Sequence, residues 1–196
     1  TGELFYEDEN GAFPKPDFSL NDTMHYWSNC SAFADAVFDE TLRSESLWRG
    51  GGDFVVWIQD YHHMLTSELY RHILETENIT KNRIHVGQFM HTPFFNIKTI
   101  QELLSEDKLR REHERRKYGP AIENMAQFLS KLVYGMLGND FIGFHIPEYC
   151  ENFVSAVDYL LLKDFPAVKV IERNDHYEIQ HNLPNKKTII GAYPIG

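Results

Sequence analysis

With 196 residues, 42% of them hydrophobic and 14% aromatic, the chain can build one sizeable packed core and is neither disordered nor fibrous. Its 19 Lys and Arg against 29 Asp and Glu leave a net charge of -10, which excludes a broad basic face for nucleic acid. Cys30 and Cys150 make neither a disulfide framework nor a zinc spacing, so two reduced, buried thiols in a cytoplasmic protein are expected. No apolar run approaches the roughly 20 residues that span a bilayer, so no membrane partner is expected.

Thr1 to Thr23 is polar, with Gly11, Pro14 and Pro16, and reads as an extended or loop segment. Tyr26 to Leu42 reads as a helix, with Phe33, Ala34, Val37, Phe38 and Leu42 on one apolar stripe. Ser44 to Gly52 reads as a loop. Phe54 to Ile58 is an unbroken apolar run and reads as a strand buried on both faces. Met64 to Glu77 is the next helix, its inner face made by Leu65, Leu69, Ile73 and Leu74. The strand Ile84–Met90 follows, and strand, helix and strand together have the size of a parallel βαβ unit.

Ile97 to Leu104 reads as helical, and Lys108 to Lys117 is a dense charge run that fits a solvated helix face best. Ile122, Met125, Phe128, Leu129, Leu132, Val133 and Met136 mark an amphipathic helix. Phe141 to His145 is a short buried strand in which Gly143 signals a close backbone approach. Pro147 to Leu162 is helical, with Tyr149, Phe153, Val157, Leu160 and Leu161 inward. Val168–Ile171 and Tyr177–Gln180 flank Arg173-Asn174-Asp175 as a hairpin. Thr188 to Ile195 is the last strand. Strands alternating with helices predict an α/β fold on a mainly parallel sheet, without an interior domain boundary.

In such a sheet, ligands bind at the carboxyl ends of the strands. Two strands end there in polar residues: Asp60-Tyr61-His62-His63 and His91-Thr92-Pro93-Phe94. Asp60 reads equally well as a cap for the following helix. There is no phosphate-binding glycine loop, and Gly50-Gly51-Gly52 precedes a strand instead of following one. His62 and His63 are adjacent and make a poor metal pair. A carboxylate accepts hydrogen bonds from hydroxyls and a histidine can donate one. With Tyr61 and Phe94 as aromatic platforms, the inventory fits a polyol better than an apolar ligand.

At these residues the sequence resembles a known family. Val56-Trp57-Ile58-Gln59-Asp60-Tyr61-His62-His63-Met64-Leu65 is similar to V-W-V-H-D-Y-H-L-M-L, and His91-Thr92-Pro93-Phe94 to H-T-P-F-P. Gly138-Asn139-Asp140-Phe141-Ile142-Gly143-Phe144-His145 is similar to G-A-D-L-I-G-F-H, and Gly191 to Gly196 to G-A-F-P-I-G. These motifs, in this order, are those of the UDP-forming trehalose-6-phosphate synthases, retaining glycosyltransferases of the GT-B fold. The resemblance runs from about Trp48 to the end.

The resemblance implies a Rossmann-like sheet and a partial N-terminal, acceptor-side domain over residues 1–196, without the nucleotide-sugar domain. It implies glucose transfer from UDP-glucose to glucose-6-phosphate, giving trehalose-6-phosphate, with neither metal nor cofactor. Asp60 would bind glucose-6-phosphate, His91 would lie near the reacting sugars, and Tyr61 and Thr92 would join them as substrate-binding residues. A front-face mechanism names no protein nucleophile. A homo-oligomer or a complex with a trehalose-phosphate phosphatase stays open.

The sequence departs from the pattern at Gln59, where the family has His, and at His63 and Phe95. Tyr26 matches the family's helix start, whereas Cys30 stands where Asn is usual. The span from Phe95 to Gly138 is longer than the family spacing. The expected donor loop and diphosphate-binding cations are absent, which implies an incomplete, inactive piece. A non-catalytic regulatory homologue and a glucosyltransferase with another phosphorylated acceptor are the competing readings.

Overall fold

The computed structural model describes residues 20–48, 52–79, 83–105, 125–162 and 167–194. The charge run 108–117, Ile122 and most of the opening polar segment lie outside the described residues. In chain order the elements are α1 (Leu20–Trp48), β1 (Phe54–Gln59), α2 (Thr66–Thr76), β2 (Ile84–Met90), α3 (97–105), α4 (Met125–Met136), β3 (Phe141–Phe144), α5 (Pro147–Leu160), β4 (Lys169–Glu172), β5 (His176–Gln180) and β6 (Lys187–Ala192). One six-stranded sheet runs in the order β1-β2-β3-β6-β5-β4. β1, β2, β3 and β6 are mutually parallel. The hairpin β4–β5 joins antiparallel to β6. The sheet is therefore mainly parallel, as the alternation of elements predicts.

Register decides which side chains share a face. Val56 lies opposite Val86, Gln88 opposite Ile142, and Ile142 opposite Ile190. These residues point to one face, where two clusters form. Ala34, Tyr70 and Leu74 cover Val56, Ile58, Ile84 and Val86 beneath α1 and α2. Met136, Phe153, Val157 and Leu161 cover Ile142, Phe144, Ile179 and Ile190 beneath α4 and α5. Burying apolar surface at about 25 cal/mol per Å² makes these two clusters the main favourable term of the fold.

The opposite face is different, and here the expectation for β1 is corrected. Val55 is 62% exposed and Trp57 49% exposed, whereas Val56 and Ile58 are buried. β1 is buried on one face only, because all the described helices that pack on the sheet do so from the other side. An apolar run does not distinguish the two cases when the outward residues are themselves Val and Trp. The close approach expected at Gly143 is present. A Cβ there would lie 2.7 Å from the Phe89 ring, and one at Gly87 would lie 2.6 Å from Trp57. Aromatic rings lie flat in gaps that only hydrogen leaves open.

Two helices differ from expectation. α1 extends through Trp48, so the expected loop from Ser44 is partly helix. Its inner residues are Cys30, Ala34 and Thr41, while Phe33 and Leu42 are exposed. On α2, Tyr70 and Arg71 are buried as well as Leu74, and Leu65 is buried just before the helix begins. α5 starts as sequence chemistry dictates, with Pro147 at its first turn after the extended residue Ile146. Cys30 and Cys150 are both free and buried.

Arg71 is 2% exposed, and each of its three guanidinium nitrogens has a partner. Its Nε donates to the Gly138 carbonyl at 3.1 Å and its Nη1 to the Ile84 carbonyl at 3.3 Å. Its Nη2 donates to Asp140 Oδ2 at 2.5 Å. That carboxylate oxygen also accepts the Val86 amide at 2.8 Å. One side chain thus ties α2 to the starts of β2 and β3. Removing one partner of a buried pair strands the other. Arg71→Ala should lower the unfolding free energy by about 3 kcal/mol, read as a shifted urea midpoint with an unchanged slope.

His181 is buried beside β6. Its Nδ1 accepts the Leu183 amide at 3.3 Å, so its Nε2 carries the proton donated to Thr188 Oγ1 at 2.9 Å. Burial lowers its pKa from 6.5 to about 4. The folded state therefore resists protonation that the unfolded chain accepts. This stability is complete above pH 6.5 and is lost progressively down to about pH 4, by up to about 3 kcal/mol. Thermal melts at pH 7 and pH 4.5 should differ less for His181→Gln than for the parent.

Candidate active site

The sheet brings both polar strand endings to one rim. β1 and β2 are adjacent and parallel, so Gln59-Asp60 and His91-Thr92 leave the sheet side by side. They pair twice. Thr92 donates its amide to Asp60 Oδ1 at 3.1 Å and its hydroxyl to Oδ2 at 3.0 Å. His91 Nε2 meets Gln59 Oε1 at 2.9 Å. Because side chains alternate along a strand, the two pairs leave on opposite sides of the rim.

Asp60 has φ 57° and ψ -165°. That region is nearly reserved for glycine, and holding another residue there costs about 1–3 kcal/mol. The surroundings enforce it from every side. The Asp60 amide donates to the Phe89 carbonyl at 2.8 Å, and its own carbonyl accepts Gln88 Nε2 at 2.8 Å. Gln88 is fully buried, and its Oε1 accepts Asn139 Nδ2 at 3.0 Å. A buried amide pair thus supports the Asp60 turn from below. Asp60 makes no cap hydrogen bond to the following turn, so the capping reading falls away. A carboxylate offers about four acceptor positions. Thr92 uses one on each oxygen, and the remainder can take hydroxyls.

Tyr61 begins the short 3-10 turn Tyr61–His63. Its ring stacks on His62 with centroids 4.2 Å apart and packs half-buried against the main core. The turn is clamped by Tyr26 from α1. The Tyr26 hydroxyl donates to the Tyr61 carbonyl at 2.8 Å and accepts the Met64 amide at 2.9 Å. Burial raises the Tyr26 pKa well above the usual tyrosine range, so the phenol stays protonated and the clamp stays closed. His63 lies against Phe33 with ring centroids 3.9 Å apart. Burial, and then neighbouring His62, lower its pKa and favour the neutral ring.

Phe94 is not a platform for a ligand. It is buried and meets Phe144 and Phe153 edge-on, so it is core. Sequence reasoning also missed a member of the rim. His145 follows β3, and its Nε2 lies 3.3 Å from His91 Nδ1. The rule that drew attention to two strand ends applies equally to this third one. Among the described residues no cluster of His, Cys, Asp and Glu could hold a metal, and no helix is long and apolar enough to cross a membrane.

The mainly parallel sheet thus carries at its carboxyl rim a carboxylate on a strained backbone and two imidazoles, in a fold that matches part of the solved trehalose-phosphate synthases. In sequence the chain resembles the UDP-forming trehalose-phosphate synthases. It is 30% identical, over 88% of its length, to alpha,alpha-trehalose-phosphate synthase (UDP-forming) 2 of Aspergillus niger. Its fold matches a Burkholderia xenovorans trehalose-phosphate synthase in complex with glucose-6-phosphate, with TM-score 0.54, 18% identity and 92% of this chain covered. It also matches the N-terminal domain of Candida albicans trehalose-6-phosphate phosphatase, with TM-score 0.50, 20% identity and 92% coverage. The chain spans 30% of the first two proteins and 29% of the third. No protein-family model matches it.

The strain at Asp60 can be measured by comparing two truncations. Asp60→Ala and Asp60→Gly both lose the Thr92 pair, but only glycine relaxes the backbone. Asp60→Gly should be more stable than Asp60→Ala by about 1 kcal/mol in chemical denaturation, even though Gly is the more flexible residue when unfolded.

Proposed function

We propose that the chain forms the acceptor-side part of a trehalose-6-phosphate synthase. The reaction moves glucose from UDP-glucose to glucose-6-phosphate with retained configuration and without a metal. The observation that carries this reading is Asp60, held by Thr92 in a glycine-like conformation at the sheet rim, in a chain similar to these synthases. Backbone strain kept at a ligand-facing rim is a mark of function.

In this reading Asp60 accepts hydroxyls of the acceptor sugar, and Thr92 aims the carboxylate. Hydrogen bonds to a charged group contribute about 1.5–3 kcal/mol each, enough to orient the acceptor hydroxyl toward the donor carbon. His91 stands one residue from Thr92 and lies near the reacting sugars. Tyr61 supports the turn through its backbone. No side chain is assigned as nucleophile, because the donor phosphate takes the acceptor proton in a front-face reaction.

A regulatory homologue without activity is the second reading. It is favoured by Gln59, which stands where the synthases carry His, and by the occurrence of the same fold in a phosphatase N-terminal domain. UDP release decides between them. The full-length gene product, given UDP-glucose, should release UDP only when glucose-6-phosphate is added. Asp60→Asn should lower kcat/KM for glucose-6-phosphate by about 10- to 100-fold and leave UDP affinity unchanged. A folded protein that releases no UDP overturns the synthase reading in favour of a regulatory homologue or of another phosphorylated acceptor.

A further inference from the structure

Gln59, His91 and His145 form a hydrogen-bonded row across three adjacent strand ends. Gln59 closes β1, His91 follows β2 and His145 follows β3. The row has a direction. Gln59 Oε1 can only accept, so the 2.9 Å contact requires a proton on His91 Nε2. In a neutral ring His91 Nδ1 is then bare. A bare nitrogen can only accept, so the 3.3 Å contact requires a proton on His145 Nε2. That leaves His145 Nδ1 bare in its turn, and among the described residues none bonds it.

The rings cannot easily turn away. Phe89 packs against both, 4.9 Å from His91 and edge-on to His145 at 5.0 Å. Phe89 is itself seated in the gap left by Gly143. The two imidazoles are tilted on this ring with centroids 5.2 Å apart.

We infer that Gln59 fixes the tautomer of His91 and, through it, of His145, so that the rim presents the bare Nδ1 of His145 as a neutral acceptor for a sugar hydroxyl. His145 is then a sugar-binding residue and Gln59 a positioning residue, and the assignment as sugar site rests on the synthase reading. The row explains what the exchange of His for Gln at position 59 does. A histidine there presents a single ring nitrogen to His91, as donor or acceptor according to its own tautomer. Here the Gln59 amide turns its oxygen, an acceptor, toward His91, and the protons behind it follow.

Asp60 and this row divide the work by charge. The carboxylate takes hydroxyls as a strong, charged acceptor on one side of the rim. The imidazole takes one as a neutral acceptor on the side that carries Phe89. A polyol offers donors in both directions, and a ligand without hydroxyl donors would meet no partner at His145.

Long-range proton–nitrogen spectra of histidine-labelled protein at pH 8 read the tautomers directly. Nε2–H should dominate for both His91 and His145. Gln59→Leu should turn both rings into tautomer mixtures without changing the melting temperature, and Gln59→Glu should restore Nε2–H in both. A Nδ1–H signal for His145 in the parent protein overturns the inference, as does an unchanged tautomer in Gln59→Leu. In the full-length gene product, His145→Ala should raise KM for glucose-6-phosphate about tenfold with a smaller change in kcat. An unchanged KM in a protein that releases UDP overturns the sugar contact and leaves the synthase reading standing. Absence of UDP release in a folded parent protein sinks the synthase reading and the sugar contact together, while the tautomer lock is decided by the spectra alone.

Discussion

A charged guanidinium in the core is tolerable only when it is paired with an opposite charge and its nitrogens are hydrogen-bonded. Arg71 meets this condition through Asp140 and two backbone carbonyls. Asp140 is also where β3 begins to pair, since its amide donates to the Val86 carbonyl and its own carbonyl accepts the Ile189 amide. The pair therefore sets the relative heights of β2, β3 and β6. Replacing both members by apolar groups could keep the stability, but would not fix one register among several. A slip of one residue would carry every side chain to the wrong face.

The rim is the far end of the same register. Gln59 lies opposite Phe89, and Phe89 opposite Gly143, so Gln59, His91 and His145 emerge on one pleat face. Asp60 and Thr92 follow on the other. The two sets of contacts come from a single alignment fixed at the amino end of the strands. The site is thus prepared by the sheet and not by loops that would have to order themselves around a ligand. Preorganisation of this kind limits the ordering cost on binding.

Much of this was legible in the sequence. Ile84–Met90 reads correctly because its run is bounded by polar residues on both sides and is covered by neighbouring strands. Asp60 and His91 are visible because strand ends are where a parallel sheet exposes chemistry. The misses have physical causes. Arg71 looks like a surface residue of α2, since its partners lie 67 and 69 positions away. Phe94 looks like a ligand platform because it follows His91, but tertiary packing turns it inward against Phe144. Tyr26 gives no local sign of the turn it clamps, 35 residues later. His145 was within reach of the same strand-end rule, and its proximity to His91 follows once β3 is placed beside β2.

β1 pairs with β2 alone and is an outer strand of the described sheet. It carries Gln59 and leads directly into Asp60, so the most constrained residue of the rim rides on a strand held from one side only. Strands held on one side open locally more readily than those held on both. Occupancy of the Asp60 site would therefore be felt first as slower exchange of the β1 and β2 amides, while the β3–β6 centre stays as it was. The binding event and the fraying of an outer strand become one equilibrium, so affinity for a ligand at this rim can be tuned by residues such as Val55 that never approach it.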